Sequence, residues 1–395
     1  MKILTVDVGT GTQDIFLYDS QIDIENGFKL VLPSPTMMVR KRIQEATRSQ
    51  APILLTGLTM GGGPSAWAVK DHLKAGFPVY ATAKAAKTLD DNLDAVAEMG
   101  ITLVSDDEAN NLPAGVQCIE FRDFDFPAIA EVFVRFGVSL NDLTAVAVAV
   151  FDHGAAPADI SDRQFRFDYL DERIRERNAL SSFAYMANDI PPIMTRLQAV
   201  ADSAQNVDTP LIVMDTAPAA VLGATFDPIV AQRRQKIIAN IGNFHTLAFR
   251  LGEKGIEGVF EHHTGEIDLP KLEGYLINLA NGTLQHETIF NDMGHGALIY
   301  NKNAMSLKGE GFDIVVTGPR RSLYTSALTP ALSPRERESM PTLRPYFSVP
   351  FGDMMIAGCF GMLSATSDLL PNTKEAVRSS LKGAGGAGTP PWEIA

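Results

Sequence analysis

Lys2-Ile3-Leu4-Thr5-Val6-Asp7-Val8-Gly9-Thr10-Gly11-Thr12 runs from an apolar, β-branched segment into a turn made of two glycines and two threonines. Ile15 to Tyr18 then resumes a strand-like pattern, so the segment is predicted to be a β-hairpin and not a strand feeding a helix. A carboxylate at the end of a strand suits Mg²⁺ held through water, and a tight Gly/Thr turn aims backbone N–H groups and hydroxyls at phosphate oxygens. A hairpin turn with no ligand accounts for the same residues. The dinucleotide-binding fingerprint does not, because the glycines break the GxGxxG spacing and the next element is a strand.

The chain repeats this device. Ile237-Ile238-Ala239-Asn240-Ile241-Gly242-Asn243-Phe244-His245-Thr246 is again strand, glycine turn and strand. Two such hairpins facing one another would clamp the β- and γ-phosphates of one nucleotide from two sides. Before the second stands Asp215-Thr216-Ala217-Pro218-Ala219-Ala220-Val221-Leu222-Gly223, whose small residues suit close helix packing. After it come Ile314-Val315-Val316-Thr317-Gly318-Pro319 and Gly352-Asp353-Met354-Met355-Ile356-Ala357-Gly358. In this order the five segments resemble the phosphate 1, connect 1, phosphate 2, adenosine and connect 2 motifs of the actin, Hsp70 and sugar-kinase ATPase superfamily. The resemblance spans nearly the whole chain, and its specificity lies in the order of the motifs. Val146 to Phe151, followed by Asp152 and later Asp162-Arg163-Gln164, is similar to the segment that delivers catalytic groups there. More narrowly, TMGGGP (59–64), FDHGAAP (151–157), TGPRR (317–321) and PFGDMMIAGCFGML (350–363) resemble a prokaryotic family of that superfamily labelled pyruvate formate-lyase activating enzyme.

The resemblance implies an α/β protein of two actin-like ATPase (ribonuclease H-like) lobes around a nucleotide cleft, with ATP and Mg²⁺ as cofactors. The N-terminal lobe is expected over residues 1–205 and the C-terminal lobe over 206–382, with a loop insertion at 326–341 and a flexible tail at 383–395. Carried over by position, Asp7 serves the metal. Gly9, Thr10, Gly11 and Thr12, with Gly242, Asn243, His245 and Thr246, serve the phosphates, and Thr317 and Gly318 serve the nucleoside. The second hairpin has Asn240 where many members place Asp, so no metal or water-activating role is carried over to it.

The family label conflicts with the composition. A radical-SAM activase holds its [4Fe–4S] cluster on three clustered cysteines, and this chain has 2 cysteines, Cys118 and Cys359. Cys359, in a small-residue helical pattern, reads as a packed core thiol. The same scarcity leaves no disulfide framework and no cysteine-based zinc site. Lys and Arg number 34 against 47 Asp and Glu, a net charge of −13, which argues against binding to the phosphates of nucleic acid. No apolar run approaches the roughly 18 to 20 residues of a membrane span. The opening MKILTVDVG is too short and too charged for a signal segment, so a cytoplasmic protein without a membrane partner is expected.

Several further residues invite chemistry. Asp152-His153-Gly154 follows the most strand-like run in the chain, at the carboxyl end where open α/β sheets place ligands. Asp152 is a candidate general base with His153 assisting, or a loop-start Asp capping its own turn. The Gly61-Gly62-Gly63 loop allows close backbone approach to a ligand or simply positive φ angles. His262 and His263, with Glu266 and Asp268, suggest a metal, but adjacent strand side chains point to opposite faces. His295, flanked by Gly294 and Gly296, either reaches the cleft or satisfies a turn, and Arg320 and Arg321 either contact an anion or form exposed ion pairs.

Periodicity predicts helices over 65–74, 90–99, 126–136, 171–186, 194–204, 269–279 and 352–363, with a central, doubly covered strand over 144–151. Leu328 to Ser339 reads as an exposed loop and Gly383 to Pro391 as a flexible segment. Two functions are consistent with these motifs. One is an ATP- and Mg²⁺-dependent phosphotransferase acting on a small-molecule acceptor. The other is an ATPase switch, hydrolysing nucleotide to drive a lobe closure that a partner protein reads, as in enzyme activators or reactivators. A nucleotide binder without turnover is a third class, and homodimerisation is left open.

Overall fold

The structure, a computed structural model, describes residues 1–157, 159–307, 311–325, 342–383 and 393. The expected loop insertion at 326–341 and all but two residues of the expected tail lie outside the described residues. Strands β1 (Lys2–Val8), β2 (Thr12–Asp19) and β3 (Phe28–Pro33) form an antiparallel meander. The chain then builds a separate four-stranded parallel layer from β4 (Ile53–Gly57), β5 (Val79–Thr82), β6 (Thr102–Val104) and β7 (Gln117–Phe121), in the order β6-β5-β4-β7. It returns with β8 (Leu143–Val150), β9 (Ala184–Met186) and β10 (Leu211–Asp215), completing a six-stranded sheet in the order β3-β2-β1-β8-β10-β9. Ala145 to Val150 are all buried, so the alanine–valine run is the doubly covered central strand that its unbroken apolar pattern predicts.

The second sheet repeats the plan. Strands β11 (Lys236–Ile241), β12 (His245–Gly252) and β13 (Gly255–His263) form another antiparallel meander. To it β14 (Gly296–Ile299), β15 (Ile314–Thr317) and β16 (Pro345–Phe347) add, in the order β14-β13-β12-β11-β15-β16. In each sheet the first three strands are antiparallel and the next two run parallel to the first of them, β8 and β10 in one and β15 and β16 in the other.

Helices Thr216–Ala224 and Ala357–Leu369 cross between the sheets with their backbones in contact. A Cβ on Gly223 would lie 1.7 Å from the Ala357 carbonyl oxygen, and one on Gly361 would lie 1.9 Å from that of Ala219. The small residues legible in both motifs are what this approach requires. Among the described residues, no helix is long and apolar enough to cross a membrane.

Two helix expectations are corrected. The helix expected over 171–186 lies at Asp162–Glu176, and Leu180–Phe183 and β9 follow it. The charged run from Asp171 does continue a helix, but the apolar Leu180 to Tyr185 is buried as an edge strand and its approach, where sheet pairing overrides helical spacing. The helix expected over 352–363 begins only at Ala357, because Phe351 and Gly352 both take left-handed φ angles and form a turn first.

Candidate functional site

The two meanders bring their turns together. In the first, Val8 pairs with Gln13 and Asp7 with Asp14, and the Gly9 N–H donates to the Thr12 carbonyl at 2.9 Å. In the second, Ile241 pairs with Thr246 and Asn240 with Leu247, and the Gly242 N–H donates to the His245 carbonyl at 2.9 Å. The match extends outward: Ser34 N–H donates to the Gly11 carbonyl at 3.2 Å, and Thr264 N–H donates to that of Phe244 at 2.7 Å. By this register Asn240 occupies in the second sheet the place that Asp7 holds in the first, and Leu247 the place of Asp14.

Between the turns lies a cavity of about 410 Å³. Of the residues selected from sequence, Asp7, Gly9, Thr10, Gly11, Thr12, His153, Gly242, Asn243, His245, Thr317 and Gly318 line it, together with Gly61, Gly62 and Gly63. Thr246 is not among the lining residues; it is buried, with its hydroxyl 2.9 Å from that of Thr264. Arg320 and Arg321 also lie outside the lining, although Pro319 belongs to it.

Asp152 is placed differently from the general base expected of it. It is buried and outside the cavity lining, with Oδ1 accepting from the Gly154 N–H at 2.9 Å and Oδ2 from the N–H groups of Arg196 and Leu197 at 2.9 and 2.8 Å. A carboxylate accepting three backbone donors holds a loop and a helix start in place. Burial pushes its pKa up and these backbone hydrogen bonds oppose the rise. The capping alternative is the one this geometry fits.

The floor of the cavity is acidic. Asp7 accepts from the Thr216 hydroxyl at 2.6 Å, and burial, opposed by that bond and assisted by Asp215, raises its pKa to about 7. Asp14 faces Asp7 across the hairpin, and burial followed by the repulsion of Asp7 raises it to about 8. Its Oδ1 is buried without a hydrogen-bond partner. Sequence reading missed Asp14, yet the signal was available: a four-residue turn over 9–12 forces 7 to pair with 14, so both side chains share a face.

The same cavity carries a group of imidazoles. His153, His245 and His263 line the cavity and His295 is buried behind them. Burial holds all four pKa values down, that of His295 to about 2 with Arg166 adding to the effect. Adjacent His262 and His263 do point to opposite faces, His262 being buried against Asp292. Arg196, also lining the cavity and absent from the sequence expectations, is committed to Asp123 through Nε at 2.7 Å and to the Phe151 carbonyl at 2.6 Å. Asp123 in turn accepts from the Gly61 N–H, so this pair fixes the glycine loop against the end of β8.

A buried guanidinium joins the two sheets. Arg166 pairs with Asp215 at the end of β10 and, through Nε at 3.1 Å, with Glu261 on β13. The cysteines do not converge on any of this. Cys118 is exposed on β7, while Cys359 is buried and donates to the Asp14 carbonyl at 3.1 Å.

A strand order used twice, with its two glycine turns meeting over one cavity, is the arrangement that the resemblance to the actin, Hsp70 and sugar-kinase ATPase superfamily implies. Residues 60–323 match the family DUF1786, described as "Putative pyruvate format-lyase activating enzyme", and the chain belongs to that family. No curated protein matches the chain. Among solved structures, it is similar to the ethanolamine utilization protein EutJ from Carboxydothermus hydrogenoformans, 10% identical over 92% of this chain and 89% of that one, TM-score 0.30. It is similar also to the ROK hexokinase from Thermus thermophilus, 11% identical over 65% of this chain and 48% of that one, TM-score 0.22. A third is a propionate kinase from Francisella tularensis subsp. tularensis SCHU S4, 10% identical over 96% of this chain and 76% of that one, TM-score 0.26.

Proposed function

We propose that the chain is an ATP- and Mg²⁺-dependent phosphotransferase acting on a small-molecule acceptor. The observation that carries this reading is the pair of glycine turns facing one another across a cavity floored by Asp7 and Asp14. The turns from Gly9 to Thr12 and from Gly242 to His245 supply backbone N–H groups to a polyphosphate. Two carboxylates, one with a partnerless buried oxygen, suit a hard cation that prefers oxygen ligands. Thr317 and Gly318 border the space for the nucleoside. In phosphoryl transfer of this kind positioning and charge neutralisation do most of the catalysis. With Asp152 spent on backbone donors, the cavity imidazoles of His153, His245 and His263 are the groups available to an acceptor proton.

That same commitment of Asp152 favours a second reading, an ATPase switch whose closure is read by a partner protein, because such a device needs no base for an acceptor hydroxyl. The activity in the family description is not assigned to this chain: radical-SAM chemistry needs a cluster on three neighbouring thiolates, and Cys118 and Cys359 are 2 cysteines in unlike settings.

A thermal-shift series with ATP, ADP and Mg²⁺, followed by a metabolite panel scored by ADP release, tests the reading. A ligand at 100 times its Kd stabilises a protein by about 2.7 kcal/mol, a readable shift. Acceptor-stimulated ADP release supports the phosphotransferase, and hydrolysis stimulated only by a protein supports the switch. The absence of any nucleotide response overturns both.

A further inference from the structure

The geometry points to a metal site distinct from Asp7, in which His153, His245 and His295 bind a divalent transition-metal ion of the Zn²⁺ and Co²⁺ type at the cavity edge. These three residues come from the end of β8, the start of β12 and the segment before β14, and each places a ligand-capable atom within 4.8 Å of the other two. Three imidazole nitrogens at about 2.0–2.1 Å from one ion stand roughly 3.3 Å apart, so side-chain rotation suffices to close the set. The rings are already gathered. His153 and His295 are stacked at 5.4 Å between centroids, and His245 lies 5.0 Å from His295.

His295 supplies the independent observation. It is 1% exposed, and neither of its ring nitrogens has a hydrogen-bond partner. A buried imidazole with two idle nitrogens is costly unless something else occupies them. Oε1 of Glu261, also buried and partnerless, lies 3.5 Å from His295 Nδ1. A small rotation makes that contact a hydrogen bond, which orients the ring and leaves Nε2 as the donor to metal, the usual carboxylate–histidine arrangement around a bound ion. The other oxygen of Glu261 is held by Arg166, and the charge of Arg166 is in turn balanced by Asp215.

The donor set chooses the ion. Three neutral imidazoles suit borderline metals such as Zn²⁺, Co²⁺ or Fe²⁺ and do not suit Mg²⁺, which takes oxygen ligands and stays with the carboxylates. Because His153 and His245 line the cavity, a coordination position not filled by protein faces it and is open to a water or an anionic oxygen. No residue of the first hairpin takes part, but His153 and His245 also belong to the cavity of the proposed function, so the site is tested without nucleotide.

The test is a Co²⁺ titration of the chelator-treated full chain without nucleotide, read by visible d–d absorption, with Zn²⁺ competing and Mg²⁺ as the control ion. One equivalent of Co²⁺ with a nitrogen-ligand spectrum is expected, displaced by Zn²⁺ and not by millimolar Mg²⁺. His295→Ala and His153→Ala should each abolish it, and Glu261→Gln should weaken it about 10- to 100-fold. Retention of the cooperative melt by either histidine variant separates metal loss from unfolding, and His295→Gln serves if both alanine variants fail to fold. No uptake, or equal uptake by the wild type and the folded histidine variants, overturns the proposal and leaves the nucleotide reading untouched.

Discussion

Gly11 and Asn243 meet where the two turns close over the cavity: a Cβ added to Gly11 would lie 2.9 Å from the Asn243 side-chain nitrogen. The obstacle is the movable end of a side chain, so Gly11→Ala should leave the melting temperature of the free protein within a few degrees. The amide of Asn243 must swing away from the phosphate position, and ATP affinity should fall about tenfold, near 1.4 kcal/mol. Isothermal titration of the variant checks both halves. Unchanged affinity would show that the turns do not jointly hold the phosphates.

The acidic floor makes stability depend on pH in a definite direction. Asp7 and Asp14 have folded pKa values raised to about 7 and about 8 against 3.8 for an ordinary aspartate, so between about pH 4 and 8 the folded state binds more protons than the unfolded one. Stability contributed by these groups is full below the ordinary value and is lost as pH rises through the folded values. Melting temperature without Mg²⁺ should fall from pH 5 to 8, and Asp14→Asn should flatten that fall. Mg²⁺ should restore stability most at the alkaline end, because its binding displaces the protons. A melting temperature independent of pH in this range would contradict the assignment.

Arg166 is fully buried between Asp215 and Glu261, both also buried. Arg166→Met keeps much of the volume but leaves two interior carboxylates without their cation, and the expected loss is about 3–5 kcal/mol. Urea unfolding measures it, and a loss under about 1 kcal/mol would mean that the carboxylates are satisfied in some other way.

Asp152→Asn separates a capping residue from a base. The amide can accept through one oxygen only, so at least one of the three backbone N–H groups now bonded to the carboxylate loses its partner, at a cost of about 1–3 kcal/mol. Stability should drop by that amount, while turnover measured below the new melting transition should change less than tenfold. A fall of several hundredfold in turnover with stability intact would return the base role to Asp152.

What the sequence discloses divides by range. The hairpin at Gly9 to Thr12 and its echo at Gly242 to His245 were readable because turn chemistry and strand alternation are local. The crossing helices were readable from Gly223 and Gly361 for a similar reason, small residues having few other uses in mid-helix. Strand β9 was not, because Leu180 to Tyr185 carries no period that tells a buried edge strand from the end of a helix, and only its pairing with β10 decides the matter. The gathering of His153, His245 and His295 was further still from view: these residues are 92 and 50 positions apart in sequence, and only the second sheet packing against the end of β8 unites them.

The doubled meander has a last consequence. Its two halves share a backbone and differ in charge, because Asp7 and Asp14 on one side correspond to Asn240 and Leu247 on the other. A fully symmetrical cleft would receive a polyanion in either orientation. This one has carboxylates and imidazoles on different strands, and under the proposed function a phosphate chain that arrives with a cation would turn that cation toward β1 and β2. On that reading the cleft carries a compass, set by which strands hold the carboxylates.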